Sequence, residues 1–192
     1  MFDLRLSTPH SWLDAVFRDF DAFLVDHAAC ERKASATGMA FVVRYPDRVN
    51  MLEPLIEFAR EELEHFHQVY RVIAARKLAL TADYRDEYVN ALNGQVRHSS
   101  EARLLDRLLV AGIVEARGCE RLQLVAKALN GDAPELKQLY TELGRAEARH
   151  HALFFRLAKG EFGEPPALDR ARELLDFEAE LVQRLPHRPA VH

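Results

Sequence analysis

Two short runs of the sequence pair a glutamate with a histidine three residues later: Glu62-Leu63-Glu64-His65 and Glu147-Ala148-Arg149-His150. On a helix, residues i and i+3 share a face, so each run aims a carboxylate and an imidazole into the same space. Both groups bind metals, and two such runs in one chain say far more than either alone. Two more glutamates fall on faces that are otherwise apolar. Glu31 lies along Phe20, Leu24, His27, Ala34 and Gly38, and Glu115 lies between Gly112 and Cys119. One glutamate from each of two helices, with Glu-x-x-His from the other two, is the ligand pattern of carboxylate di-metal bundles. Four carboxylates gathered in a dry core would repel one another and carry a heavy desolvation cost. Two divalent ions supply four positive charges and balance them. Oxygen donors with imidazole and no thiolate suit iron or manganese over zinc or copper. The expected metal ligands are Glu31, Glu62, His65, Glu115, Glu147 and His150. The competing reading pairs these same groups with arginine in a polar core.

Spacing supports the set independently. Glu31 and Glu62 are 31 residues apart with the midpoint at Pro46-Asp47, and Glu115 and Glu147 are 32 apart with the midpoint at Gly131. Both midpoints are turn sequences. Equal arms of about 14 residues, at ~1.5 Å per residue, put all four carboxylates at one level roughly 20 Å from one end of a bundle. Glu120 is the rival to Glu115, because Cys119-Glu120-Arg121 echoes Cys30-Glu31-Arg32. Its shorter arm misplaces it by about 7 Å, so Glu115 is preferred. His27, four residues before Glu31, reads first as a core histidine and second as a partner of the ligand. His67 and His151 lie off the ligand face and read as solvated. Gly112 and Gly118 flank Glu115 in mid-helix, either for close packing or as room beside the metals.

The elements that must position these groups are helical throughout, with no period-two strand pattern. Thr8-Pro9 predicts a cap and a helix running to about Arg44. Tyr45-Pro46-Asp47 breaks it, and a second helix spans about Val49 to Lys77 with Leu52, Leu55, Ala59, Phe66, Val69 and Ile73 on one stripe. Residues 79–98 form a connector with a short helix around Asp83 to Leu92, ended by Asn93-Gly94. Ser99 or Ser100 opens a third long helix to Leu129, stopped by Asn130-Gly131-Asp132. Asp132 with Pro134 opens a fourth, with Leu136, Leu139, Leu143, Phe154 and Leu157 inside. Residues 160–166 read as a loop, followed by a helix over about Leu168 to Leu185 and a polar tail. The expected fold is all-α: a ferritin-like four-helix bundle with one long crossover and an extra C-terminal helix, as one domain over residues 1–192.

Composition bounds the partners. No apolar run approaches the ~20 residues of a membrane span, and the first residues carry no stretch of signal-peptide length. Two cysteines, Cys30 and Cys119, imply no disulfide framework. A cytoplasmic protein with no membrane partner is expected. The net charge of −4 gives no whole-molecule attraction to nucleic acid. Arg44, Arg48, Arg97, Arg103, Arg107, Arg184 and Arg188 are scattered, each reading first as solvated surface, and no RNA-binding motif is present.

The runs His27-Ala28-Ala29-Cys30-Glu31-Arg32-Lys33-Ala34-Ser35, Glu61-Glu62-Leu63-Glu64-His65-Phe66 and Glu115-Ala116-Arg117-Gly118-Cys119-Glu120-Arg121 resemble the MiaE family. These are tRNA hydroxylases acting on 2-methylthio-isopentenyl-adenosine beside the anticodon, and the resemblance covers nearly the whole chain. It implies a non-haem di-iron monooxygenase with two iron ions, O2 as co-substrate and tRNA as partner. Electrons would come from an external donor, since nothing here binds flavin or nicotinamide. The reaction implied is hydroxylation of an allylic methyl of the isopentenyl group. Three other readings compete. A ferritin- or rubrerythrin-type ferroxidase would form a cage or carry a Cys-x-x-Cys centre, which is absent from this sequence. A manganese catalase differs in its metal, and a helical binding module would hold none.

Overall fold

Capping chemistry and single glycines set where the helices start and stop. The computed structural model describes residues 3–129 and 133–192, and over these it forms α1 (His10–Arg18), α2 (Phe20–Arg44), α3 (Val49–Ala75), α4 (Glu87–Asn93), α5 (Ser100–Ala128), α6 (Pro134–Phe162) and α7 (Glu164–Arg184). There is no strand among the described residues. The helix expected from Thr8 to Arg44 is broken at Asp19, whose carboxylate accepts from the Ala22 N–H at 3.0 Å and starts α2 afresh. Asp is a strong N-cap, and here it interrupts a helical pattern that continues on both sides. Thr8 does not cap α1. Its N–H and hydroxyl both donate to the Glu120 carboxylate, at 2.9 and 2.7 Å. Asp86 caps α4 through the Val89 N–H, so that helix starts later than Asp83. The loop expected over 160–166 shrinks to Gly163 at φ +84°, between α6 and α7. Glycine reaches that conformation without a Cβ penalty, and Pro165 is pre-set for the first turn of α7. The turn expected at Asn130-Gly131-Asp132 lies outside the described residues.

The chain divides into two compact units, one of Met1–Leu13, Arg85–His187 and His192, the other of Asp14–Tyr84 and Arg188–Val191. In the second unit α2 and α3 pack as a pair joined at residues 45–48, with Phe23, Leu24, Ala28 and Phe41 buried from α2 and Met51, Leu55, Phe58, Val69 and Ile73 from α3. The helices come close at Gly38, where a Cβ would lie 2.8 Å from a Phe58 ring carbon and 3.2 Å from the Leu55 carbonyl. The expected polar tail is in part interior: Val191 is buried, and its N–H donates to Asp26 at 2.8 Å.

In the first unit α5 packs against α6, with α4 and α7 alongside. A Cβ on Gly112 would meet Phe154 Cβ at 3.1 Å and the Phe155 ring at 3.2 Å, so this glycine serves close packing. On α6, Tyr140 rather than Leu136 or Leu139 occupies the buried line. A buried ionic cluster ties the unit together. Arg117 and Glu178, both fully buried, are linked at 2.8 and 3.0 Å, and Tyr88 donates to the same carboxylate at 2.9 Å. Arg117 also holds Thr8 and Glu120. Arg121 lies 5.0 Å over the buried Trp12 ring. Burial pulls its guanidinium down to about 10, still cationic at neutral pH. No helix among the described residues is long and apolar enough to cross a membrane.

Candidate metal centre

In the second unit, α2 brings Glu31 and α3 brings Glu62 and His65 to one level, and all three are buried. The His65 Nδ1 atom lies 3.5 Å from Glu62 Oε2 and 3.6 Å from Glu31 Oε2. The equal-arm reading of the turn at 45–48 therefore holds within this unit. Sequence reasoning placed His27 as a core histidine first. It is buried, but its Nε2 lies 2.6 Å from Glu31 Oε1 and donates to it. Burial alone would raise the Glu31 carboxyl. Hydrogen bonds from His27 and His65, the charge of His27 and a contact with Glu62 instead hold it well below the usual carboxylate range. Glu31 is thus kept as an anion, with one oxygen fixed by His27 and the other turned toward His65.

In the first unit, α6 repeats the motif: His150 Nδ1 lies 3.6 Å from Glu147 Oε2, and both residues are buried. Glu115 is buried on α5 between two points where α5 meets α6. One turn before it, Gly112 meets Phe154 and Phe155, and the Gly112 carbonyl lies 2.9 Å from His151 Nδ1. One turn after it, the Cys119 thiol donates to the Gly144 carbonyl at 3.3 Å. Read along this antiparallel register, Glu115 stands level with residues 148–151, beside the Glu-x-x-His motif. Glu120 stands about one turn further on, and its carboxylate is engaged by Thr8 and Arg117. His151, expected to be solvated, is half-buried on the Gly112 carbonyl and edge-on to Phe155. His67 is exposed, as expected, with Glu64 at 3.9 Å. Burial, reinforced by the charge of Glu147, raises the Cys119 thiol to about 11, so it is a neutral packing group and not a thiolate ligand.

The donor chemistry fits divalent ions. Glu62, His65, Glu147 and His150 are buried groups of the type that holds a metal ion. Within each motif the carboxylate and imidazole atoms sit 3.5 and 3.6 Å apart. That is longer than a good hydrogen bond. It is close to the separation, about 3 to 3.5 Å, of neighbouring ligands on an ion bound at ~2.1 Å.

An all-α scaffold carrying buried Glu-x-x-His motifs on two helices defines a ferritin-like carboxylate protein. The solved structure of "Protein 43 with aldehyde deformylating oxygenase activity" from Synechococcus shares this fold, with a TM-score of 0.90, 35% identity, and coverage of 97% of this chain and 92% of that one. Residues 2–192 match the family described as tRNA-(MS[2]IO[6]A)-hydroxylase (MiaE), and the chain belongs to that family. The tRNA 2-(methylsulfanyl)-N(6)-isopentenyladenosine(37) hydroxylase of Pseudomonas putida is 33% identical over 94% of this chain and 86% of its own length. The enzyme of the same name from Salmonella typhimurium is 25% identical over 93% of this chain and 83% of its own length.

Proposed function

We propose that this protein is an O2-dependent di-iron hydroxylase of the isopentenyl group on 2-methylthio-isopentenyl-adenosine beside the tRNA anticodon. One domain spanning residues 1–192 would work in the cytoplasm with an external electron donor. Family membership over residues 2–192 carries the reading, and the buried Glu-x-x-His motifs support it. Glu31, Glu62, His65, Glu115, Glu147 and His150 are the proposed ligands of two iron ions. Once bound, the iron supplies O2 activation: one oxygen atom enters a C–H bond, and two electrons with two protons reduce the other to water.

The chain's own part is binding, orientation and exclusion of water. His27 fixes one oxygen of Glu31 and leaves the other for a metal, an arrangement that orients a ligand and keeps it ionised. Phe154 and Phe155, packed on Gly112 one turn from Glu115, keep the first unit's donors dry. The test is to supply the iron-loaded protein with reductant, O2 and prenylated tRNA, then to digest the tRNA and weigh its nucleosides. Gain of one oxygen on the prenyl group is the expected result. Iron that cycles with O2 without modifying the tRNA, or assembly into an iron-filled shell, would favour a ferroxidase instead.

A further inference from the structure

The helix that carries Glu147 and His150 shows a distinctive outer surface. From position 145 to 160 the exposed residues of α6 are Arg145, Ala148, Arg149, Ala152, Arg156 and Gly160. Arg145, Ala148, Ala152, Arg156 and Gly160 follow one another three or four apart and so form a single stripe along the helix, with Arg149 beside Ala148. No acidic residue is exposed on this stretch, whereas α7 exposes Asp169, Glu173, Asp176 and Glu180. Arg145 and Arg156 have no ion-pair partner among the described residues. By contrast, Arg97, one of the arginines that the sequence offered for RNA, is committed to Asp106, at 2.7 Å.

We infer that this outer face of α6 is a docking surface for the phosphodiester backbone of tRNA, an inference that rests on the hydroxylase reading above. Arg145 and Arg156 stand about 16 Å apart along the helix at ~1.5 Å per residue, far enough to reach separate phosphates of one strand. Guanidinium groups match phosphate oxygens bidentately. The residues between them are alanine and glycine, and a Cβ on Gly160 would meet no atom within 4 Å. A backbone can therefore lie close to the helix, with the arginines rising on either side of it. The absence of exposed carboxylates matters as much as the presence of arginine, because the chain as a whole is acidic at −4 and repels a polyanion elsewhere. Docking there would seat the RNA on the same helix that presents two of the proposed metal ligands.

The experiment compares the iron-loaded wild-type protein with an Arg145→Gln, Arg156→Gln double variant and with Ala152→Glu, which adds a carboxylate to the stripe and removes nothing. Arg172→Gln, on the exposed face of α7, is the control. Binding of prenylated tRNA is measured across a salt series. The double variant should bind about 10-fold more weakly, with a salt slope reduced by about 1.5 to 2, as expected for the loss of two phosphate contacts. Ala152→Glu should weaken binding in the same direction. Turnover of the free 2-methylthio-isopentenyl-adenosine nucleoside with a chemical reductant should be unchanged in both. Wild-type hydroxylation of tRNA, with unaltered binding and salt slope in the double variant, overturns the docking surface and leaves the hydroxylase reading intact. The same holds if tRNA binding is unaltered and turnover fails only when a reduced acidic ferredoxin supplies the electrons, since the stripe then receives a protein. A wild-type protein that neither binds nor hydroxylates prenylated tRNA overturns the hydroxylase reading first.

Discussion

The pair His27 and Glu31 shows how a carboxylate can be kept charged inside a protein by neighbouring imidazoles. Burial opposes ionisation, and two imidazole contacts outweigh it. The two glutamates of α5 that the sequence offers as ligands stand in different surroundings. Glu115 is buried level with the α6 motif, whereas Glu120 is bound to Thr8 and Arg117. Glu115→Ala should therefore lose iron with little change in the stability of the metal-free protein. Glu120→Ala should keep its iron and cost roughly 2 kcal/mol, because it leaves buried donors unsatisfied. Metal analysis and urea denaturation of the two variants separate these outcomes. The two Glu-x-x-His motifs were legible in the sequence because i, i+3 spacing on a helix fixes a shared face whatever the tertiary structure. The role of Glu120 was not, since its partner Thr8 is 112 residues away. Nor was that of His27, since a histidine on an apolar face has the same spacing whether it packs or donates.

Helix pairs in this protein are set by points of close approach. At Gly38 a methyl group would sit 2.8 Å from Phe58, and at Gly160 nothing would touch it. Gly38→Ala should destabilise by about 1–3 kcal/mol through overpacking, which outweighs the gain of up to ~1 kcal/mol in helix propensity. Gly160→Ala should be neutral or slightly stabilising, and thermal melts of the two variants check the contrast. Asp106 clamps the start of α5 to the connector and to α7, receiving Arg97 through its backbone N–H and guanidinium at 2.7–2.9 Å and Arg170 at 3.0–3.1 Å. Burial would raise its carboxyl, but these bonds hold it below the ordinary value. Its contribution is therefore present above the unfolded value of about 4 and lost as pH falls through the lower folded value. Asp106→Asn should cost roughly 2 kcal/mol at pH 7, and in urea titrations the difference from wild type should shrink below pH 4. The long helices were legible from their apolar stripes. The break at Asp19 was not, because the pattern runs through it, and the 160–166 loop was overdrawn because one glycine at φ +84° makes the whole turn.

For the molecule as a whole, ions that bind the folded chain and not the unfolded one add stability by mass action. Removal of iron by a chelator should lower the melting temperature by roughly 10 °C, if the metal is held at about a thousand times its dissociation constant. Scanning calorimetry with and without added iron checks this. A net charge of −4 concealed the basic stripe on α6, since charge balance is counted over all residues while docking depends on one face. The anchoring of Thr8 to Glu120 and Arg117 also bears on how the protein is made. Residues 14–84 hold an α2–α3 pair whose partners are near in sequence, so that pair can form while the rest of the chain is still being synthesised. The segment just before it emerges first and must wait for more than a hundred further residues before its partners exist. During that interval Trp12, which ends in the interior under Arg121, stays in water, where a ribosome-bound chaperone could reach it. The segment that precedes α2 is thus translated before the α2–α3 pair and folded after it.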